Sequence, residues 1–147
     1  MDQTEQQRIH GTLKYQKMLQ SLNAELTEIR PGFAEFRIPY NENFTQQNGY
    51  FHAGIVTTLA DSAGGYAGYT LAAPGYHMLA VEFKVNFLAP AKGEYLIARA
   101  EVVKAGKTLT VCKVEVFNLE KGAETMCAIM QQTLISVPIS PEMVRES

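Results

Sequence analysis

Residues 53–72 read AGIVTTLADSAGGYAGYTLA, with Asp61 as the one formal charge, and this stretch decides the fold. A helix of that length spans roughly 30 Å. Because it is apolar on most sides, the sequence predicts a helix buried inside the domain rather than lying on its surface. Thr57, Thr58, Gly64, Gly65 and Gly68 all have low helix propensity, so tertiary packing must hold it. The same small residues allow a sheet to approach closely.

On the C-terminal side, Pro74-Gly75 ends the helix, and Val81, Phe83, Val85 and Phe87 then alternate with Glu82, Lys84 and Asn86, the period of a half-buried strand. Further strands are predicted over residues 94–104, 108–119 and 125–137. Ala105-Gly106-Lys107 and Lys121-Gly122 separate them by turns short enough to make neighbours antiparallel. On the N-terminal side, residues 41–51 are rich in Asn, Gln and Gly and read as a loop, and residues 24–30 and 33–40 form a hairpin around Pro31-Gly32. Residues 1–23 are the N-terminal helical segment, with Ile9, Leu13, Met18 and Leu22 at mostly helical spacing over 4–22 and Gly11 as an interruption. Residues 138–147 read as a polar tail with two prolines and little structural consequence. The order predicts one α+β domain over residues 1–147, an antiparallel sheet wrapped around a long central helix. Apolar residues fall on both faces of the later strands, which predicts a homo-oligomer.

A length of 147 residues fits a single domain, and 46% hydrophobic residues with a net charge of -2 describe an ordinary globular chain. Its 13 basic residues are spread along the sequence, so nucleic acid is not expected as a partner. The first twenty residues, MDQTEQQRIHGTLKYQKMLQ, lack the apolar core of a secretory signal, and no later apolar run is long enough to span a bilayer. A cytoplasmic protein without a membrane partner is expected. Cys112 and Cys127 belong to no Cys-x-x-Cys or Cys/His cluster of metal-ligand spacing; reduced core residues are the expectation, a disulfide the alternative.

Between Glu42 and Glu82 only Asp61 carries a formal charge, in the middle of the buried helix. Asp is a poor helix former, and burying its ionised form without partners costs several kcal/mol. A solvent-facing stripe or a kink at Gly64-Gly65 would explain it blandly. Leu59, Ala60, Ala63 and Tyr66 around it, with no charged stripe in company, weaken that reading and set a functional carboxylate level with it.

Directly before the helix stands Gly49-Tyr50-Phe51-His52-Ala53-Gly54. The first N–H groups of a helix lack intrahelical partners and sit at the positive end of its dipole, so the N–H of Ala53 or Gly54 is a candidate donor to a developing oxyanion. His52 read alone is a structural residue bonded to nearby backbone rather than a base. The amides of Gln46 and Asn48 are ordinary loop groups that could polarise a carbonyl or orient water. His10 and His77 have no companions at metal spacing, no Gly-x-Ser-x-Gly elbow occurs, and the glycines at 64–68 have no following Lys-Ser or Lys-Thr. Serine hydrolase, zinc and phosphate-loop chemistries are therefore disfavoured.

His52-Ala53-Gly54, Leu59-Ala60-Asp61-Ser62-Ala63, the strand at 81–87, Leu88-Ala89-Pro90-Ala91-Lys92-Gly93 and the Gly106-Lys107-Thr108 turn keep a recognisable order and spacing. Over about residues 40–137 they resemble the hotdog-fold acyl-CoA thioesterases of the phenylacetate-pathway type. The resemblance implies hydrolysis of an acyl-CoA thioester to free CoA and a carboxylic acid, with Asp61, nine residues after His52, as general base or nucleophile. It implies that Gln46 supplies an amide near the thioester and Ala53 the oxyanion N–H. It also implies a site built across a dimer, Asp61 of one chain facing Gln46, His52 and Ala53 of the other, with such dimers commonly pairing into tetramers. No metal or redox cofactor is required; CoA enters as part of the substrate, its phosphates expected on basic residues such as Lys92, Lys104 and Lys107.

Two positions depart from the family pattern. Ala53 stands where the first Gly of a Gly-Gly pair is usual, keeping the N–H but adding a methyl group, and Gly65 and Ala80 stand where some relatives use Ser or Thr to hold water. Ser62 or Thr58 is the substitute to consider. A non-catalytic acyl-CoA or acyl-lipid binding protein on the same fold is the second reading, and a hydroxyacyl dehydratase a weaker third because its catalytic His belongs on the helix side of the site. Tyr50, Phe51, Tyr66, Tyr69 and Met78 are candidates to line an aromatic slot or an acyl channel, with medium or long chains slightly favoured.

Overall fold

The computed structural model describes residues 1–140. Two N-terminal helices, α1 (Gln3–Leu13) and α2 (Lys17–Ser21), precede a hairpin of β1 (Glu25–Arg30) and β2 (Phe33–Pro39). The long helix α3 (Ala53–Tyr69) follows, then β3 (Tyr76–Phe87), β4 (Tyr95–Ala105), β5 (Leu109–Glu120) and β6 (Ala123–Pro138). The six strands form one antiparallel sheet in the order β1-β2-β4-β5-β6-β3. Short turns make β4, β5 and β6 consecutive neighbours as expected. β3, however, crosses over to pair with β6, which puts β1 and β3 at the two edges and β2 against β4.

α3 packs against β2 to β6, and its Leu59, Ala60, Ala63 and Ala67 share one buried core with Phe36, Ile38, Leu96, Val114, Val116 and Met130. The antiparallel sheet wrapped on a central helix is thus the hotdog arrangement. Close approach does depend on small residues. A Cβ added at Gly64 would lie 1.9 Å from Gln132 Oε1, and one at Gly68 would lie 2.4 Å from Leu134 Cδ1. Cys112 and Cys127 are buried free thiols on β5 and β6, and burial pushes both up to about 11. No disulfide joins them.

Three expectations need correction. The N-terminal helix breaks at residues 14–16 rather than at Gly11; the break turns α2 so that Leu19 and Leu22 bury beside Ile9, while Met18 faces solvent. α3 ends at Tyr69 instead of reaching residue 72, because the Thr70 hydroxyl donates to Ala67 O at 2.6 Å and accepts the Gly32 N–H of the β1–β2 turn at 2.8 Å. The 41–51 segment is a loop as expected, with a 3-10 turn at Glu42–Phe44 and a bridge between Thr45 and Phe51. β3 begins early, at Tyr76, has a register shift between Ala80 and Glu82, and leaves Val81, Phe83 and Phe87 53%, 44% and 50% exposed, so it is not the half-buried strand that its alternation predicts. Of the expected tail, Pro138 closes β6 and the Ile139 N–H donates to Gly75 O at 2.8 Å; residues 141–147 lie outside the described residues. Among the described residues no helix is long and apolar enough to cross a membrane.

Candidate active site

Asp61 stands midway along α3, partly buried, and its Oδ1 accepts a hydrogen bond from Gln132 Nε2 at 2.5 Å. The same nitrogen lies 3.4 Å from Asp61 O. Burial raises the carboxyl above its ordinary value, and the donation from Gln132 partly offsets that rise. Asp61 opens on a cleft of about 290 Å³ walled by Ser62, Gly65, Tyr66 and Tyr69 of α3, Thr12 and Gln16 of the N-terminal segment, His77 to Ala80 of β3, and Leu134 of β6. Of the five candidate lining residues, Tyr66, Tyr69 and Met78 are therefore beside the carboxylate.

The start of α3 is a second locus. His52 is the N-cap, and its Nδ1 accepts the Gly54 N–H at 2.9 Å. The N–H groups of Ile55 and Val56 are taken by His52 O at 2.9 and 3.1 Å. Of the first-turn donors, only the Ala53 N–H has no partner among the described residues. The structure thereby separates the two candidate donors, since Gly54 is engaged by the cap and Ala53 is available. His52 does what its bland reading predicts.

Gln46 lines the same depression as Ala53, with Tyr50, Phe51, Phe87 and Leu88. Its side-chain Oε1 accepts the Asn48 N–H, which fixes the orientation of the amide and leaves the NH₂ end to donate elsewhere. His52, Gly54 and Thr58 line a neighbouring depression, and the Thr58 hydroxyl donates to Gly54 O at 2.8 Å. Of these two candidates, Ser62 and not Thr58 lines the cleft on which Asp61 opens. Lys92 precedes β4 and has Nζ 3.7 Å from Glu120, whereas Lys104 and Lys107 sit at the other end of that strand. The three lysines form no common patch in one chain.

Asp61 lies eight positions after Ala53 along the helix, or about 12 Å along the axis. A reacting carbonyl needs its oxyanion donor within hydrogen-bond reach and the attacking group about 3 Å away. Asp61 and Ala53 of the same chain cannot both reach it. Gln132 is the site residue that the sequence reading missed. It lies on β6 with neighbours Met130 and Leu134 facing the core, and an inward-facing amide between them was the available signal.

A profile of the Thioesterase superfamily matches residues 48–125, more than half of the chain. Acyl-coenzyme A thioesterase 13 of Homo sapiens is 31% identical over 100 residues, covering 66% of this chain and 69% of that protein. The crystal structure of a thioesterase family protein from Silicibacter pomeroyi superposes with a TM-score of 0.90 at 41% identity, over 92% of this chain and 99% of that one. The PaaI protein of the E. coli phenylacetic acid degradation operon has the same fold, with a TM-score of 0.79 at 22% identity over 92% and 94% of the two chains. With its buried helix, its wrapped sheet and a matched segment that includes His52, Ala53 and Asp61, the chain belongs to the Thioesterase superfamily.

Proposed function

We propose that the protein hydrolyses an acyl-CoA thioester to free CoA and a carboxylic acid in the cytoplasm, at a site shared between two chains. The observation that carries this reading is the partly buried Asp61 carboxylate, hydrogen-bonded to Gln132 and open to a cleft large enough for an acyl group. The acyl carbonyl takes the Ala53 N–H of one chain, with the Gln46 amide beside it, and Asp61 of the other chain acts as base or nucleophile. As base, it removes a proton from water while the water oxygen adds to the carbonyl; collapse of the tetrahedral intermediate breaks the C–S bond, and the CoA sulfur leaves as thiolate and regains a proton. As nucleophile, it adds to the carbonyl and expels the CoA thiolate, which takes up a proton, and water then opens the resulting acyl anhydride to release the acid and restore Asp61. Neither route draws on a metal or redox cofactor.

The two-chain site is supported by the spacing of Ala53 and Asp61 and by the state of β3. Among the described residues that strand pairs only with β6, which leaves its other edge free, and it exposes Leu79, Val81, Phe83, Phe87 and nearby Leu88. An apolar open edge invites pairing with another strand, and a second β3 related by a two-fold axis would lie antiparallel to it. Lys92, Lys104 and Lys107 remain the candidates for the CoA phosphates, drawn from both chains.

The test is CoA release with a thiol reagent on short, medium, long and aryl acyl-CoAs. Asp61→Asn is expected to lose roughly 10²- to 10⁴-fold in turnover while keeping its fold. Undiminished turnover in that variant would remove Asp61 from the mechanism. A folded wild type that binds acyl-CoA but cleaves no thioester would make the protein a binding module.

A further inference from the structure

We infer that Gln132 is a positioning residue for the reacting carboxylate, holding one oxygen of Asp61 so that the other is presented to substrate or water. This rests on the reading of Asp61 as the reacting group. Gln132 is fully buried on β6 between the core residues Met130 and Leu134, a position where an apolar side chain would pack without unmet hydrogen bonds. Its Nε2 donates to Asp61 Oδ1, while its Oε1 is buried with no hydrogen-bond partner among the described residues. A buried amide with half of its capacity unmet costs stability. The helix also yields to it: Gly64 provides the space, and a Cβ there would fall 1.9 Å from Oε1.

The bond to Asp61 is the return for both concessions. Because a carboxylate oxygen can only accept from the amide, the NH₂ end must face Asp61, and the opposite orientation would set oxygen against oxygen. Asp61 Oδ2 makes no hydrogen bond to the described residues, so the carboxylate is held at one oxygen and free at the other. The donation also keeps the carboxyl from rising as far as burial alone would take it. The other titratable groups on this cleft are Tyr66 and Tyr69 of α3 and His77 of β3; Thr12 and Gln16 from the N-terminal segment and Leu134 from β6 carry no charge.

Gln132→Met keeps the length and removes the donor; Gln132→Asn keeps an amide but withdraws it by one methylene. In full-length protein assayed by CoA release, both are expected to lower kcat roughly tenfold to a hundredfold with KM little changed. The acid limb of kcat/KM should move to higher pH, and neither change should add to the loss already present in Asp61→Asn. Thermal melts establish that the variants are folded. Unchanged kcat and acid limb, a rise in KM alone, a further loss in the Asp61→Asn background, or failure of both variants to fold would each overturn the assignment. Turnover retained by Asp61→Asn itself would sink the reading of Asp61. A dead Asp61→Asn beside a Gln132→Met with unaltered kinetics would sink only the positioning role.

Discussion

Burial of Asp61 has a consequence for stability as well as for catalysis. Its folded-state value is raised above the ordinary 3.8, so the native state holds the proton more tightly than the unfolded chain does. Stability associated with this group is complete below the ordinary carboxylate value and is lost as pH rises through the folded value. Asp61→Asn removes the charge yet keeps an oxygen that can accept from Gln132. The variant is therefore expected to match wild type in thermal stability near pH 3 and to exceed it at neutral pH. Melts across pH that show no such divergence would mean that the carboxylate is better solvated than its burial implies. Asp61 is legible in the sequence because nothing else between Glu42 and Glu82 is charged, whereas Gln132 hides beside Gln131 in a strand where only alternation tells which amide faces inward.

At the scale of elements, patterning located the buried helix and the four later strands, but element ends and edges depended on contacts between distant segments. The N-terminal break and the Thr70 stop each answer to partners far along the chain, namely the core under Leu19 and the turn at Gly32. Local propensity likewise fails to rank the helix glycines. Gly11 in α1 has nothing within 4 Å of an added Cβ, so Gly11→Ala should stabilise by up to about 1 kcal/mol through helix propensity alone. Gly64→Ala has the same intrinsic gain, but its methyl group would collide with Gln132 Oε1, and overpacking of this kind costs about 1–3 kcal/mol. Opposite signs in denaturant midpoints would confirm that α3 is held by the sheet; a stabilising Gly64→Ala would show that Gln132 can withdraw freely.

For the whole molecule, the sequence pointed to an oligomer through apolar residues on both faces of its strands, and the structure places four of the exposed ones, Leu79, Val81, Phe83 and Phe87, on the edge strand β3, which single-chain periodicity cannot distinguish from a half-buried interior strand. Whether that edge completes the site can be decided by complementation. Asp61→Asn removes the reacting group. Ala53→Pro removes only the unpartnered N–H, since proline is well tolerated at the first helical position and His52 before it is already extended, with φ -60 and ψ 140. Each variant alone should be nearly inactive. In a mixed dimer of a two-chain site, one site carries both lesions and the other pairs the intact Asp61 of one chain with the intact Ala53 of its partner. Co-expression at equal levels makes half of the dimers mixed, so about a quarter of wild-type activity is expected to return. If Asp61 and Ala53 of the same chain served one site, each site in every dimer would carry one lesion and no activity would return, which would refute the shared site while leaving the role of Asp61 untouched.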